Sequence, residues 1–289
     1  MCFLLQWGDM PELPEVETIK LQLNKFLKGK KIVSVEVNNR KLFQGDEIKL
    51  IGGKVINVRR FGKVTSIDLS NGYSILTHVK LTGQYIYRGP ELKNNILSSK
   101  VVGGVPGPHT HVIFKFDKGI LYYNDIRRFG WIRVVKTSEV ETEPFIKKLG
   151  PEPLRDLTLK KFSEILLKSG RAVKLVLMDQ EKMGGVGNIY ANDALWLAKV
   201  SPKCPAKSLT EGEQKELFDA ILTVLKSGLK YGGASELAFV TPDGGEGEYQ
   251  KHTLVYGNEG KLCPRCKKDK IYKFFLGGRG TYICKTCQK

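Results

Sequence analysis

Residues 10–20 read MPELPEVETIK. Inside a chain Pro11 is an amide without nucleophilic chemistry. At a chain start, after removal of Met10, it is a secondary amine that can attack a sugar carbon and form an iminium, by the logic of a Schiff-base lysine. Glu12 stands beside it to manage protons, and Glu15 follows on the first helical turn. The same residues also suit plain helix punctuation, with Pro14 in a first turn and Glu15 and Glu17 at its positive end. Nine residues, MCFLLQWGD, precede Met10. They lack the basic start and small-residue cleavage site of a secretion signal. They are read as a leader produced by a misplaced start, with translation expected to begin at Met10.

Three further stretches carry chemistry. Cysteines in CPRC (263–266) and CKTC (284–287) are separated by seventeen residues, whereas Cys2 and Cys204 are scattered. Cys263, Cys266, Cys284 and Cys287 at this spacing read as a closed four-thiolate site for one structural zinc ion. A redox pair or disulfides are the competing readings. Between the pairs, GGRGT (277–281) presents Arg279 on a glycine turn, where the backbone can approach a polyanion and the guanidinium can fork onto it. In MGGVGNIY (183–190), glycines precede Asn188 at a helix start, a place that favours phosphate and is equally common as a simple cap. NDIRRFGW (124–131) sets arginines beside Phe129. A cation next to an apolar wedge suits replacement of an extruded base, but a strand end with one core aromatic reads the same way.

These residues need scaffolds, and the pattern along the chain supplies them. Val16, Ile19, Leu23, Phe26 and Leu27 share one helical face. From Lys31 to Val135 the pattern is short β-rich runs such as KIVSVEV, VTSIDL, HVIFKF and ILYYND, which suggests an antiparallel sandwich. Arg88–Pro108 has little pattern and is read as a loop. After LGPEPL the period becomes helical, in KKFSEILLKSG, RAVKLVLMDQ, NIYANDALWLAKV and GEQKELFDAILTVLKSG. Thr210 and Glu213 are spaced as a capping box for the last of these. A glycine-rich loop (232–250) and the cysteine ribbon follow. The 289 residues carry 47 Lys+Arg against 30 Asp+Glu, a formal +17. That balance points to a polyanionic partner such as nucleic acid. No apolar run is long enough for a membrane span, so no membrane partner is expected and a cytoplasmic place is.

PELPEVET, GKV (62–64), HVKLTG (78–83), HTHV (109–112), NDIRRFG, LGPEPL, MGGVGNIY, VYG (255–257) and the CxxC…GGRGT…CxxC ribbon occur in one order. Together they resemble the formamidopyrimidine-DNA glycosylases, the MutM branch of the Fpg/Nei family, from Met10 to about Lys289. The resemblance implies an α+β protein. A catalytic antiparallel β-sandwich led by a helix (10–137) comes first, then a hinge (138–156). A helix–two-turn–helix DNA-binding domain with a lesion-capping loop (157–250) and a zinc ribbon (251–289) complete it. The implied activity is that of a bifunctional glycosylase/lyase. It excises 8-oxoguanine and formamidopyrimidines from double-stranded DNA and cleaves the strand by β- and δ-elimination, in a monomeric, nucleoid-associated protein of bacterial type.

By motif position, Pro11 is the nucleophile at C1′ and Glu12 the proton donor. Lys63 serves β-elimination and holds a phosphate, and Arg279 holds a phosphate and assists δ-elimination. Glu15, His78, His109, Asn188 and Tyr256 fall at positions near the substrate or the DNA backbone. Arg127 and Phe129 fill the void left by the flipped nucleotide, and 242–249 covers the extruded base. Leu81 stands where the family has methionine as the third void-filler, so altered insertion is expected. Two rivals are a Nei-like enzyme for oxidised pyrimidines and a DNA-binding protein made non-catalytic by a retained leader.

Overall fold

The apolar spacing after the prolines becomes the buried face of α1 (Leu13–Leu27), where Val16, Ile19, Leu23, Phe26 and Leu27 are all in the core. The computed structural model describes residues 11–92 and 96–289. The misplaced-start expectation concerns residues that lie outside this range. The described chain divides into two compact units, one built from 11–147 and 229–250, the other from 148–228 and 251–289.

In the first unit α1 precedes β1 (Ile32–Val37), β2 (Phe43–Gln44), β3 (Val55–Phe61), β4 (Val64–Leu69), β5 (Tyr73–His78), β6 (Gly83–Arg88), β7 (Thr110–Phe116), β8 (Ile120–Asp125) and β9 (Trp131–Lys136). They form a four-stranded sheet, β1-β7-β8-β6, and a five-stranded sheet, β2-β9-β5-β4-β3. All pairings are antiparallel except the two-residue contact of β2 with β9, which is parallel. Strand period decides which residues meet. Val58, Ile67, Ile75 and Ile132 from one sheet join Ile32, Tyr85, Val112, Phe114 and Tyr123 from the other in one core, closed by α1.

The alternate residues Val64 and Leu76 point the other way and are covered by Val140 and Ile146. Those come from the turn 137–142 and the short helix α2 (Pro144–Lys147). The first ten residues of the expected hinge, 138–147, therefore belong to this unit as a cover for the sheet.

The second unit holds α3 (Leu159–Leu167), α4 (Val173–Leu177), α5 (Asn188–Leu197) and most of α6 (Glu211–Lys230), followed by the hairpin β10 (Tyr272–Leu276) and β11 (Arg279–Ile283). Every residue of α5 from Asn188 to Trp196 is buried, so it is the central helix. Thr210 and Glu213 form the capping box that their spacing predicts. Gly228 on α6 is required by packing, because a Cβ there would lie 2.5 Å from the Tyr190 ring.

Residues 229–250 pack with the sandwich. Their backbone is taken up by β6 and α1: Tyr87 donates to Pro242 O at 2.6 Å, and Gln22 accepts from the Asp243 N–H at 3.0 Å.

Candidate active site and nucleic-acid surface

Pro11 and Glu12 are buried at the head of α1, Glu12 at 1% exposure. Glu12 is the helix N-cap, and its carboxylate accepts the N–H of Glu15. Glu15 answers through Oε2, which accepts the Glu12 N–H at 2.8 Å, while its Oε1 accepts the Ala234 N–H at 2.7 Å. This reciprocal box satisfies orphan helix donors and fixes the direction of the Pro11–Glu12 backbone. Glu15 was expected at the substrate. It is buried and bonded to the protein's own backbone. Gly233 makes the approach possible, with φ +86° and space for a Cβ only 2.8 Å from Glu15 Cγ.

Two residues later, Glu17 ties α1 to the β3–β4 turn. Arg60 donates through Nε to Glu17 at 2.8 Å and through Nη1 to Gly62 O at 2.9 Å. Burial would raise the Glu17 pKa, but Lys20 and Arg60 outweigh it and hold the carboxyl below its ordinary value. Lys63 sits on this anchored turn and is 6% exposed. One helix thus positions Pro11, Glu12 and the turn carrying Lys63.

His78 is buried between Trp131 and Phe145, with ring centroids 6.0 and 5.8 Å away in edge-on packing. Its Nδ1 accepts the Lys80 N–H at 3.1 Å. Burial first, then the positive charges of Lys80 and Lys63, drive its pKa well below the ordinary histidine value, so the ring is neutral. The bond from Lys80 fixes the start of the 78–83 turn on the ring. His109 is half-buried, and its carbonyl accepts the Asp125 N–H at 3.0 Å.

Asp125, fully buried, gathers the wedge residues. It accepts from Thr82 Oγ1 and from the Gly130 N–H at 2.8 Å, and Thr82 Oγ1 in turn accepts the Arg127 N–H at 3.0 Å. The turn bearing Leu81 is thereby bonded to the turn bearing Arg127 and Phe129. Gly83 and Gly130 let both turns close on the Tyr123 hydroxyl, which a Cβ at either position would strike. Phe129 is 53% exposed, and the Arg127 guanidinium lies over its ring at 4.8 Å. Leu81 is half-buried beside them in sequence. An exposed aromatic with a stacked cation is a surface suited to bases.

In the second unit α5 organises three expected residues. Asn188 is its first residue. One turn on, Asn192 donates to Asn188 O at 2.7 Å and accepts the Tyr282 N–H on β11 at 2.8 Å. Asp193 accepts the N–H groups of Leu254, Val255 and Tyr256 at 3.0, 2.9 and 3.0 Å. Tyr256 then packs edge-on against Tyr282 at 5.0 Å. Arg279 opens β11 after the left-handed Gly277–Gly278 turn. Lys174, fully buried, grips this hairpin by donating to Gly280 O at 2.8 Å and Thr281 Oγ1 at 2.7 Å.

The sequence reading missed Lys174, Asp125, Asn192 and Asp193. A lysine inside the apolar run RAVKLVLM was the one available signal, since a charge in a buried phase needs partners.

The four ribbon thiols lie with all Sγ atoms within 4.8 Å of one another and can hold a metal ion. Cys263–Cys287 and Cys266–Cys284 are 3.8 and 3.7 Å apart. A tetrahedral ion with metal–sulfur bonds of about 2.3 Å requires sulfurs about 3.8 Å apart, so the set fits. Backbone N–H groups of Asp269 and Lys268 pull the Cys266 thiol down to about 6, which favours the ligating thiolate, while burial pushes Cys284 up to about 12. Arg265 fastens the ribbon to the end of α5, donating to Trp196 O and Leu197 O at 2.9 Å each and stacking on Trp196 at 4.1 Å. A cation there also suits the negative helix terminus. Among the described residues, no helix is long and apolar enough to cross a membrane.

Comparison with known proteins places this arrangement. Residues 10–132 match the formamidopyrimidine-DNA glycosylase N-terminal domain and 149–239 match the formamidopyrimidine-DNA glycosylase H2TH domain. The chain is 39% identical to the formamidopyrimidine-DNA glycosylase of Pelotomaculum thermopropionicum, over 97% of this chain and 99% of that one. It is 36% identical to the enzyme of Streptococcus mutans, over 97% and 100%. Among solved structures it resembles the Lactococcus lactis Fpg bound to abasic-site DNA (TM-score 0.85, 33% identity, 96% and 99% covered). The MutM (Fpg) protein of Thermus thermophilus is similar too (TM-score 0.84, 34% identity, 96% and 98% covered). With both halves matched and the relatives covered end to end, the chain belongs to the formamidopyrimidine-DNA glycosylase family.

Proposed function

We propose that this protein is a base-excision DNA glycosylase and abasic-site lyase that removes oxidised purines from duplex DNA. The observation that carries the reading is the reciprocal Glu12–Glu15 box, which holds a proline and an acid at the head of a helix. In this reading the Pro11 nitrogen attacks C1′ of the damaged nucleotide as the N-glycosidic bond breaks. Glu12 supplies the proton that the departing base or the opened sugar needs. Loss of a proton from C2′ of the iminium expels the 3′ phosphate, and a second elimination expels the 5′ phosphate. Lys63 serves the first elimination and Arg279 the second, each also holding a phosphate.

Asn188 and Tyr256 line the backbone path. Leu81, Arg127 and Phe129 fill the vacated stack, and 242–249 covers the extruded base. Zinc is the ion we assign to the four thiols. It supplies no reaction step, since four sulfurs leave no open position. The +17 charge supports a duplex partner. We read the protein as a cytoplasmic monomer.

Borohydride trapping tests the mechanism. Protein begun at Met10 and processed to Pro11 cross-links to an 8-oxoguanine duplex, because a reduced iminium is permanent. The 289-residue chain with Pro11 acylated binds without cross-linking. Trapping by a chain shown by mass spectrometry to keep residues 1–9 overturns the proline assignment and turns attention to Lys63. A competing thymine-glycol duplex separates a purine from a pyrimidine preference.

A further inference from the structure

The connection between β6 and β7 has a partner the function does not yet use. Ser98 donates its N–H to Gly244 O at 2.8 Å and its hydroxyl to the Glu246 carboxylate. Lys100 donates through Nζ to Glu246 and to Ser235 O at 2.7 Å. Gln84 on β6 donates both to Lys100 O at 2.9 Å and to Ala238 O at 2.6 Å. Arg88 donates to Asp243 O at 3.0 Å. Leu97 and Val101 pack with Val240 and Ile86 in a small apolar cluster of their own. Gly244, at φ +90°, leaves only 2.6 Å between an added Cβ and Leu97.

Apart from the Gln84–Lys100 bond, which braces the connection itself, these bonds land on the loop 234–247. That loop is rich in glycine and costly to order, because glycine loses more conformational freedom than any other residue. Lys100 is singular among the contacts. One ammonium bonds Ser235 at the start of the loop and Glu246 at its end, and so closes the loop at its neck. Ser235 Oγ reinforces the closure by accepting the Gly247 N–H at 2.9 Å. The start of the same loop is bonded through Ala234 to Glu15, which holds the Pro11–Glu12 backbone.

We propose that Lys100 is a positioning residue for base capture, holding the 234–247 loop closed before DNA arrives. This rests on the reading that the loop covers the extruded base. A loop already ordered contributes more of its contact energy to binding. A site that has no base to cover should not depend on it.

The experiment compares Lys100→Met, which keeps the apolar stem, with Glu246→Gln and with the double variant. Hydrogen exchange on the 289-residue chain should show amides of 234–247 exchanging about 5- to 10-fold faster in either single variant, as loss of a charge-assisted bond implies. The double variant should be no worse than either single one, since both remove the same closure. In protein begun at Met10, single-turnover excision from an 8-oxoguanine:C duplex should slow by a similar factor. Elimination by Lys100→Met on a preformed abasic duplex should keep its rate. Unchanged exchange in Lys100→Met overturns the latch whatever the enzyme does. An equal fall in both reactions overturns it too, by making Lys100 a general prop. If the parent protein performs neither reaction, the functional reading fails, and the exchange result still decides whether the latch exists.

Discussion

Glu15 and Ala234 are 219 positions apart and joined by a 2.7 Å hydrogen bond. The carboxylate that receives this bond uses its other oxygen to hold Glu12 in the capping box. A single buried charge therefore joins the head of α1 to the glycine-rich loop. Glu15→Ala leaves both N–H donors buried and unanswered, at a cost of about 1–3 kcal/mol. We expect a lower melting temperature and loss of borohydride trapping with duplex binding retained. Glu15→Gln keeps one acceptor and should fall between. A Glu15→Ala protein that traps as fast as its parent refutes the positioning role.

Lys174 makes a second test of placement. Its ammonium has no exposure and donates to Gly280 O and Thr281 Oγ1, next to Arg279. Gly277 at the same hairpin closes on Leu175. Lys174→Met keeps the volume and removes the grip, leaving the Gly280 carbonyl with the longer Asn192 bond at 3.3 Å. Affinity for undamaged and damaged duplex should fall alike, because a backbone contact is lost and not a base contact. The slope of log affinity against log salt should drop by about one if Arg279 leaves its phosphate. Titrations at several salt concentrations measure this, and an unchanged slope with normal affinity contradicts it.

His78 sets a pH dependence whose sign follows from its burial. Its folded-state pKa lies well below the ordinary 6.5, because desolvation and then Lys80 and Lys63 oppose the charge. Above pH 6.5 the ring is neutral in both states and adds no slope. Below it the unfolded chain takes up a proton that the folded chain refuses, so stability falls with pH. The loss is about 1.4 kcal/mol per unit until the folded-state pKa is reached. His78→Gln should lack this component, so the stability difference between the two proteins should shift in favour of the variant from pH 6.5 to 5. A difference that stays constant over that interval contradicts a buried neutral histidine.

Much of this was legible because period and spacing are local. The apolar face of α1, the capping box at Thr210 and the CxxC pairs are patterns within a few residues, and each folds as its pattern says. The parts that were missed depend on pairing across the chain. Nothing near Glu15 announces Ala234, and nothing in GGASELAFV announces Gln84 or Lys100. Glycine-rich polar segments such as 232–250 carry no periodicity to say which core they serve. His78 and Glu15 look like exposed polar residues in sequence. Only the packed aromatic rings and backbone donors around them reveal positioning groups.

The wedge offers the sharpest separation of capture from binding. Asp125 bonds the Leu81 turn to the Arg127 turn through Thr82, and Phe129 stands exposed under the Arg127 guanidinium. If these three side chains fill the gap left by an extruded nucleotide, they contribute only once the base has left the stack. Arg127→Ala should therefore leave affinity for undamaged duplex within about twofold, since one partly solvated cation contributes little by itself. It should slow excision from an 8-oxoguanine:C duplex at least about tenfold, because stacking of an aromatic or guanidinium on bases is worth about 1–3 kcal/mol. Leu81→Met tests the family departure in the opposite direction. The longer, flexible thioether fills an irregular gap better than leucine. Excision should hold or rise, with no change in the abasic reaction. Thr82→Val, which removes the hydroxyl that joins the two turns, should mimic Arg127→Ala without touching any group placed at the DNA. Should Arg127→Ala excise 8-oxoguanine at the parent rate, Arg127 and Phe129 are only a cation–π pair at a strand end, and the wedge assignment is withdrawn.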